Sequence, residues 1–190
     1  MLTLAFILLT VNICNANQDY YWRDYTGKIP SDAFVAGQDV NQEKVYIGLV
    51  YLKSAGIVPT TILQGQKVTD ILSVGNLNIP EKTQNYVQIL CTDTPQMLEW
   101  ITANKTHFHF LTMNKHVVRG GVQTDHWLSI GRVYYQNEII IGKILSGRAT
   151  INDAFMQYVH SNDITTAYSY EVLVNKESDR DSENELIEIA

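Results

Sequence analysis

Few side chains in this 190-residue sequence have a type and spacing that could do chemistry. Asp39, in Ala36-Gly37-Gln38-Asp39, is a carboxylate two residues after a glycine. Such a group accepts hydrogen bonds from a ligand's hydroxyls or from the amides of its own turn. Lys143 stands in the otherwise apolar run 139–145. On a strand it reads as a donor to a ligand, or as a solvent-facing charge that protects a sheet edge against aggregation. His107 and His109 would share one face of a strand, which is how a metal site begins. No further His, Cys or carboxylate follows at ligand spacing, so no metal is expected. Trp22, Trp100 and Trp127 offer flat faces to a sugar ring, although core packing is the commoner fate of tryptophan.

Other chemistry is excluded by what the sequence lacks. There is no Gly-x-Ser-x-Gly elbow, no His-Glu-x-x-His, no phosphate-cradling glycine loop and no dinucleotide fingerprint, so neither enzyme activity nor a cofactor is expected. A net charge of −6 disfavours non-specific nucleic-acid binding, which needs clustered cations to displace counterions. Residues 2–14 are mostly apolar and uncharged, with Cys14 and Ala16 at −3 and −1 of a cut before Asn17. They read as a secretory signal peptide over 1–16, because about 13 apolar residues fall short of the ~20 that span a bilayer. The expected product is secreted and extracellular, without membrane insertion.

Removal of that segment leaves Cys91 as the one cysteine. An odd cysteine in an exported chain is either a buried thiol or a bridge to a second molecule, and its place after Ile89-Leu90 favours a packed thiol. Asn104-Lys105-Thr106 is an acceptor for N-glycosylation, which requires exposure there. From 175 to 190 the composition turns to Glu, Asp, Ser and Asn, too polar to offset the entropy of ordering, and a disordered acidic tail is expected.

The elements that must position these residues are strands. Runs 45–52, 127–135, 139–145 and 168–174 are rich in β-branched and aromatic residues and are separated by Gly, Asn, Pro or Asp. In the last run Tyr168, Tyr170, Val172 and Val174 share one face, with Ser169, Glu171 and Leu173 on the other. One short helix is expected over 95–103, with Thr94 as cap and Pro95 in the first turn. The pattern also occurs twice. Gly48 and Gly131 stand 83 residues apart, and Tyr86 and Tyr170 stand 84 apart, the mark of a duplicated unit. An all-β fold of short antiparallel strands follows.

The string Trp22, Gly27-Lys28-Ile29-Pro30, Ala36-Gly37-Gln38-Asp39, Tyr46-Ile47-Gly48, closed by Tyr86-Val87-Gln88-Ile89-Leu90, resembles the DM-nine repeat, a family whose units occur in tandem. The resemblance covers nearly all of 22–174. It divides the chain into a first repeat (17–93) and a divergent second repeat (94–174). It implies two antiparallel β modules packed with pseudo-twofold symmetry around a shared core, and a lectin that recognises mannose.

In that family the sugar is held by an Asp at the Gly-x-Asp position and a Lys at the Pro-Gly-Lys position. Here Asp39 matches the carboxylate of the first copy, while the lysine position falls on Thr60 or Thr61. In the second copy Lys143 matches the lysine, and the aspartate position falls on Gln123 or, with a short gap, on Asp125. Leu49 stands where many repeats carry the arginine kept here as Arg132. The resemblance thus implies a carbohydrate site drawn from Asp39, Thr61, Gln123, Asp125 and Lys143. Either Asp125 completes a site with Lys143, or Asp39 approaches Lys143 in a composite one. The implied function is a secreted, lectin-like, mannose-binding protein of innate immune recognition, acting as a homodimer that raises effective concentration. The alternative is a degenerate repeat protein without sugar binding, serving as a protein-interaction or structural module.

Overall fold

Alternating side chains that must be buried on one or both faces dictate extended backbone through most of this chain. A computed structural model describes residues 19–83, 86–124, 126–146 and 154–176. The expected signal peptide, Asp125 and the tail from 177 onward lie outside these residues.

The first half contains β1 (Tyr21–Asp24), β2 (Val35–Gln38), β3 (Lys44–Leu52), β4 (Gly56–Leu63), β5 (Leu72–Val74), β6 (Pro80–Lys82) and β7 (Val87–Cys91). The second contains β8 (Leu98–Asn104), α1 (Phe108–Thr112), β9 (His116–Val117), β10 (Arg119–Gln123), β11 (His126–Tyr135), β12 (Glu138–Ser146), β13 (Ala154–His160), β14 (Asp163–Ala167) and β15 (Ser169–Asn175). One antiparallel sheet runs β1-β7-β3-β4-β10-β11-β12-β13-β14. Strand β2 lies beside β3, and β15 branches from β11 to β8 and β9, while β5 and β6 form a separate hairpin.

The all-β expectation holds, and the four strand runs lie within a residue of their expected limits. Ladder relations of the first half recur in the second. Strand β3 pairs with β4, β7 and β2, and β11 pairs with β12, β15 and β10. Gly48 faces Ile89, and Gly131 faces Val172. The motif glycines mark close approaches: a Cβ on Gly48 would meet Ile62 Cδ1 at 2.6 Å, and one on Gly131 would meet Met156 Sδ at 2.8 Å.

The expected helix over 95–103 is corrected. Only Pro95–Met97 turns, as a single 3-10 turn without a side-chain cap, and β8 begins at Leu98. All seven β8 residues pair with β15, from Leu98 opposite Asn175 to Asn104 opposite Ser169. Leu98 and Trp100 pack into one core cluster while Ile101 and Ala103 pack into another, a two-sided burial with period two that a helix cannot supply. Two residues assigned to the expected tail are ordered: Asn175 ends β15 and the Lys176 amide donates to Met97 O at 2.7 Å.

Three core clusters hold the strands. The first groups Tyr46, Val50, Val58 and Ile89 with Leu128. The central one joins Phe34, Val45, Ile47 and Leu90 to Leu98, Ile130, Ile141 and Leu173. The third lies within the second half, around Phe108, Val133, Met156, Tyr170 and Val172.

Candidate functional site

Lys143 lies inside β12, opposite Ile130 of β11 and Gln157 of β13. A strand flanked on both sides is no edge, and the side chain is 1% exposed, so the solvent-facing reading is corrected. Its ammonium donates to Val74 O at 3.0 Å and to Gln123 Oε1 at 2.7 Å. The β5–β6 region closes over it, with Gln157 Nε2 donating to Asn78 Oδ1 at 2.7 Å nearby. Among the described residues no carboxylate pairs with Lys143. Burial pulls its pKa from 10.5 down to about 8, because a desolvated ammonium loses hydration that two neutral acceptors only partly replace.

Two of the residues singled out in the sequence, Gln123 and Lys143, are therefore in contact. Thr61 on β4 reaches the same strand: its Oγ1 accepts from the Ile141 amide at 2.9 Å. Asp39 lies elsewhere, in the exposed β2–β3 connection. Its Oδ1 accepts from the amides of Asn41 at 2.9 Å and Glu43 at 2.8 Å, an Asx-type turn. No hydrogen bond or ion pair joins Asp39 to Lys143.

Beside the buried lysine opens a pocket of about 210 Å³, bounded by Thr60 and Thr61 of β4, Ile141 and Gly142 of β12, Tyr158 of β13, the 63–70 connection, and Ser161 and Asn162. Gly142 is required at its wall, since a Cβ there would meet Gln157 O at 2.2 Å and Tyr158 Cβ at 2.8 Å. Ser161 and Asn162 form the two-residue β13–β14 turn, with φ of 52° and 66°, the positive values a tight hairpin demands. Several polar groups of the rim are already engaged: Thr60 Oγ1 donates to Leu72 O at 2.5 Å, and Gln66 Oε1 accepts from Leu63 N at 3.0 Å. The Asp70 carboxylate, the Ser161 hydroxyl and the Asn162 amide have no hydrogen bond or ion pair among the described residues. They supply acceptors and donors to a hydroxylated ligand. The volume is below the ~300 Å³ at which drug-sized pockets begin and suits one sugar ring.

A second cleft, of about 360 Å³, lies between β11 and β15. Arg132 stands at its closed end. Its Nε donates to Glu171 Oε2 at 2.6 Å, its Nη1 donates to Ala36 O at 2.6 Å, and its guanidinium stacks 4.5 Å from the Trp100 ring. Arg132 thus ties β2 to the second half, while Leu49 at the corresponding place is a buried core residue.

The remaining sequence candidates separate. Trp22 and Trp100 pack against the central cluster, whereas Trp127 is 59% exposed with the Arg119 guanidinium 4.3 Å from its ring. His107 precedes α1 and His109 lies in it, so the expected strand face does not exist, and residues two apart on a helix do not face each other. No group of three or more potential metal ligands occurs among the described residues. Asn104 ends β8, its Oδ1 accepting from the Thr106 amide at 3.0 Å and the Thr106 hydroxyl at 2.9 Å. Cys91 is a buried free thiol whose pKa burial raises to about 11, which keeps it protonated and unreactive at neutral pH.

Gln66, Asp70, Ser161 and Asn162 escaped the sequence reading because they sit in connections where Asp, Asn and Ser already signal turns. Compared with protein-family models and with curated protein sequences, the chain matches none.

Proposed function

We propose that this chain is a secreted, lectin-like carbohydrate-binding protein whose sugar site is the pocket between β4 and the β13–β14 turn. The observation that carries this reading is a cavity on the scale of one sugar ring in which the side chains of Asp70, Ser161 and Asn162 are unengaged. A carboxylate accepts from two adjacent sugar hydroxyls, and charge-assisted bonds of this kind are the stronger class. Mannose-type glycans are the first ligands to test, and innate immune recognition is the setting that the DM-nine resemblance brings, together with pseudo-twofold packing of the repeats and a homodimeric form. Lys143 contributes indirectly in this reading, by holding β5 and β10 behind the pocket.

Titration calorimetry of the protein with methyl mannoside and a high-mannose glycan tests it. Saturable binding is expected, weakened at least tenfold in Asp70→Ala, as loss of a charge-assisted bond worth ~1.5–3 kcal/mol requires. Binding unchanged in that variant would remove the pocket from the proposal.

A second reading, a repeat module that binds protein rather than sugar, is favoured by the burial of Lys143 and the turn role of Asp39. Absence of heat with every glycan would leave this reading in its place.

A further inference from the structure

The cleft between β11 and β15 is an interrupted ladder. The two strands pair only at Gly131 with Val172 and at Arg132 with Glu171. Continued in register, Val133 would face Tyr170 and Tyr134 would face Ser169. Instead the strands part there, and those four residues line the cleft. Each strand is fully paired on its other side, β11 with β12 as far as Tyr135 opposite Glu138, and β15 with β8 as far as Ser169 opposite Asn104.

Which main-chain groups face the opening follows from the β11–β12 turn. Gln136 and Asn137 have φ of 50° and 68°, a two-residue hairpin turn whose flanking residues, Tyr135 and Glu138, form a hydrogen-bonded pair. Alternation then directs the amide and carbonyl of Val133 toward β12 and those of Arg132 and Tyr134 toward β15. Opposite Arg132, Glu171 directs its groups toward β11, and by the same alternation so does Ser169. Tyr134 and Ser169 therefore present main-chain donors and acceptors to the cleft without a ladder partner. Exposed strand edges of this kind recruit further extended chain.

Side chains of the two walls divide by face. Arg132, Tyr134, Ser169 and Glu171 lie on one face, Tyr134 being 70% exposed. On the other face Val133 and Tyr170 are buried in the third cluster, and Tyr135, 38% exposed, is the apolar ring that reaches the opening. We propose that this fork binds a short extended peptide by β-augmentation, taking an apolar residue against Tyr135 and alternate polar residues beside Arg132 and Glu171. Main-chain bonds to Tyr134 and Ser169 give the affinity and the two-faced lining gives the preference, as in other strand-addition sites. The inference is independent of the sugar pocket.

The test uses the capped peptide acetyl-Lys-Val-Thr-Tyr-Thr-Val-Lys-amide and the same peptide N-methylated at both valine nitrogens and the tyrosine nitrogen, with amide hydrogen exchange followed by NMR. The Tyr134 and Ser169 amides are expected to exchange fast in the free protein and to slow at least tenfold with the first peptide. The N-methylated peptide is expected to bind at least tenfold more weakly. Ser169→Pro, which removes a cleft donor and leaves the β8 ladder its partner, is expected to abolish binding of the first peptide. Equal binding of both peptides, protection of the two amides before any peptide is added, or their protection by methyl mannoside rather than peptide would each overturn the proposal. The peptide-side control keeps the result decisive even where Ser169→Pro fails to fold.

Discussion

Lys143 shows at the residue scale how a motif position acquires its energetics from neighbours distant in sequence. Its ammonium is buried against Val74 and Gln123 with a pKa of about 8, below its ordinary 10.5. Between those two values the unfolded chain holds a proton that the folded chain has released. Stability contributed by this residue therefore rises with pH across that window and is lowest and constant below about pH 8. The full span is on the order of 3 kcal/mol. Tyr25, Tyr46, Tyr158 and Tyr170 all have raised pKa values through burial. Each is neutral when folded while its unfolded counterpart ionises above about pH 10, so their effect is opposite and begins later. The Cys91 thiol, raised from its ordinary 9 to about 11, also opposes Lys143 from about pH 9 upward. The change in urea stability from pH 7 to pH 9.5 is therefore expected to be more favourable in the wild type than in Lys143→Met, in which Cys91 is unchanged, and the same change in both proteins would contradict the burial of the charge. The aligned motif put Gln123 at the position of the lysine's partner, and the two side chains do meet, although the pairings expected of Lys143 were with Asp125 or Asp39. The burial of Lys143 was not legible, because the cover is supplied by the β5–β6 hairpin, about 70 residues earlier, and no local pattern announces it.

Glycines and turns carry the corresponding lesson at the scale of elements. Recurring glycines marked the strand crossings in the sequence, and both lie where strands approach closely, but their tolerance differs with what they face. A Cβ on Gly131 meets Ile144 Cγ1 and Met156 Sδ, both at 2.8 Å, in side chains that can turn aside. A Cβ on Gly142 meets the Gln157 carbonyl oxygen at 2.2 Å, and a ladder carbonyl cannot move without breaking β12 from β13. Gly142→Ala is therefore expected to lower stability by more than Gly131→Ala, with overpacking alone costing about 1–3 kcal/mol. Equal urea midpoints for the two variants would refute this ranking. The four long strands were legible because β-branched and aromatic residues run through seven to ten positions between turn formers. Strand β8 was not. Thr94-Pro95 opens a helix in local terms, and only pairing with β15, about 70 residues later, decides for extended backbone at Leu98–Asn104. The pocket beside β4 was illegible for the same reason, since it gathers two connections and parts of four strands, β4, β5, β12 and β13, and its polar residues look like ordinary turn formers.

For the whole molecule the central question is whether the two halves of the chain fold as two units or one. The only ladder contact of β4 with β10 is Ile57 opposite Val122, a slender junction if main-chain pairing were all that joined the halves. Side chains decide otherwise. The central cluster takes Phe34, Ala36, Val45, Ile47 and Leu90 from one half and Leu98, Val118, Ile130, Ile141 and Leu173 from the other. Leu128 also fills the cluster built chiefly from the first half, and Arg132 reaches across to Ala36 O. Each fully buried aliphatic side chain contributes about 1.5–3 kcal/mol relative to exposure, so a half left alone would expose several such groups and lose more than the 5–15 kcal/mol that stabilises a typical domain. The protein should therefore unfold in one step. The tryptophans make this measurable, since Trp22 reports on the first half while Trp100 and Trp127 report on the second. Urea transitions followed by fluorescence of a variant retaining only Trp22, of a variant retaining only Trp100, and by far-ultraviolet circular dichroism are expected to agree within each variant. A first-half transition separated from a second-half one would mean that the shared cluster does not couple the halves.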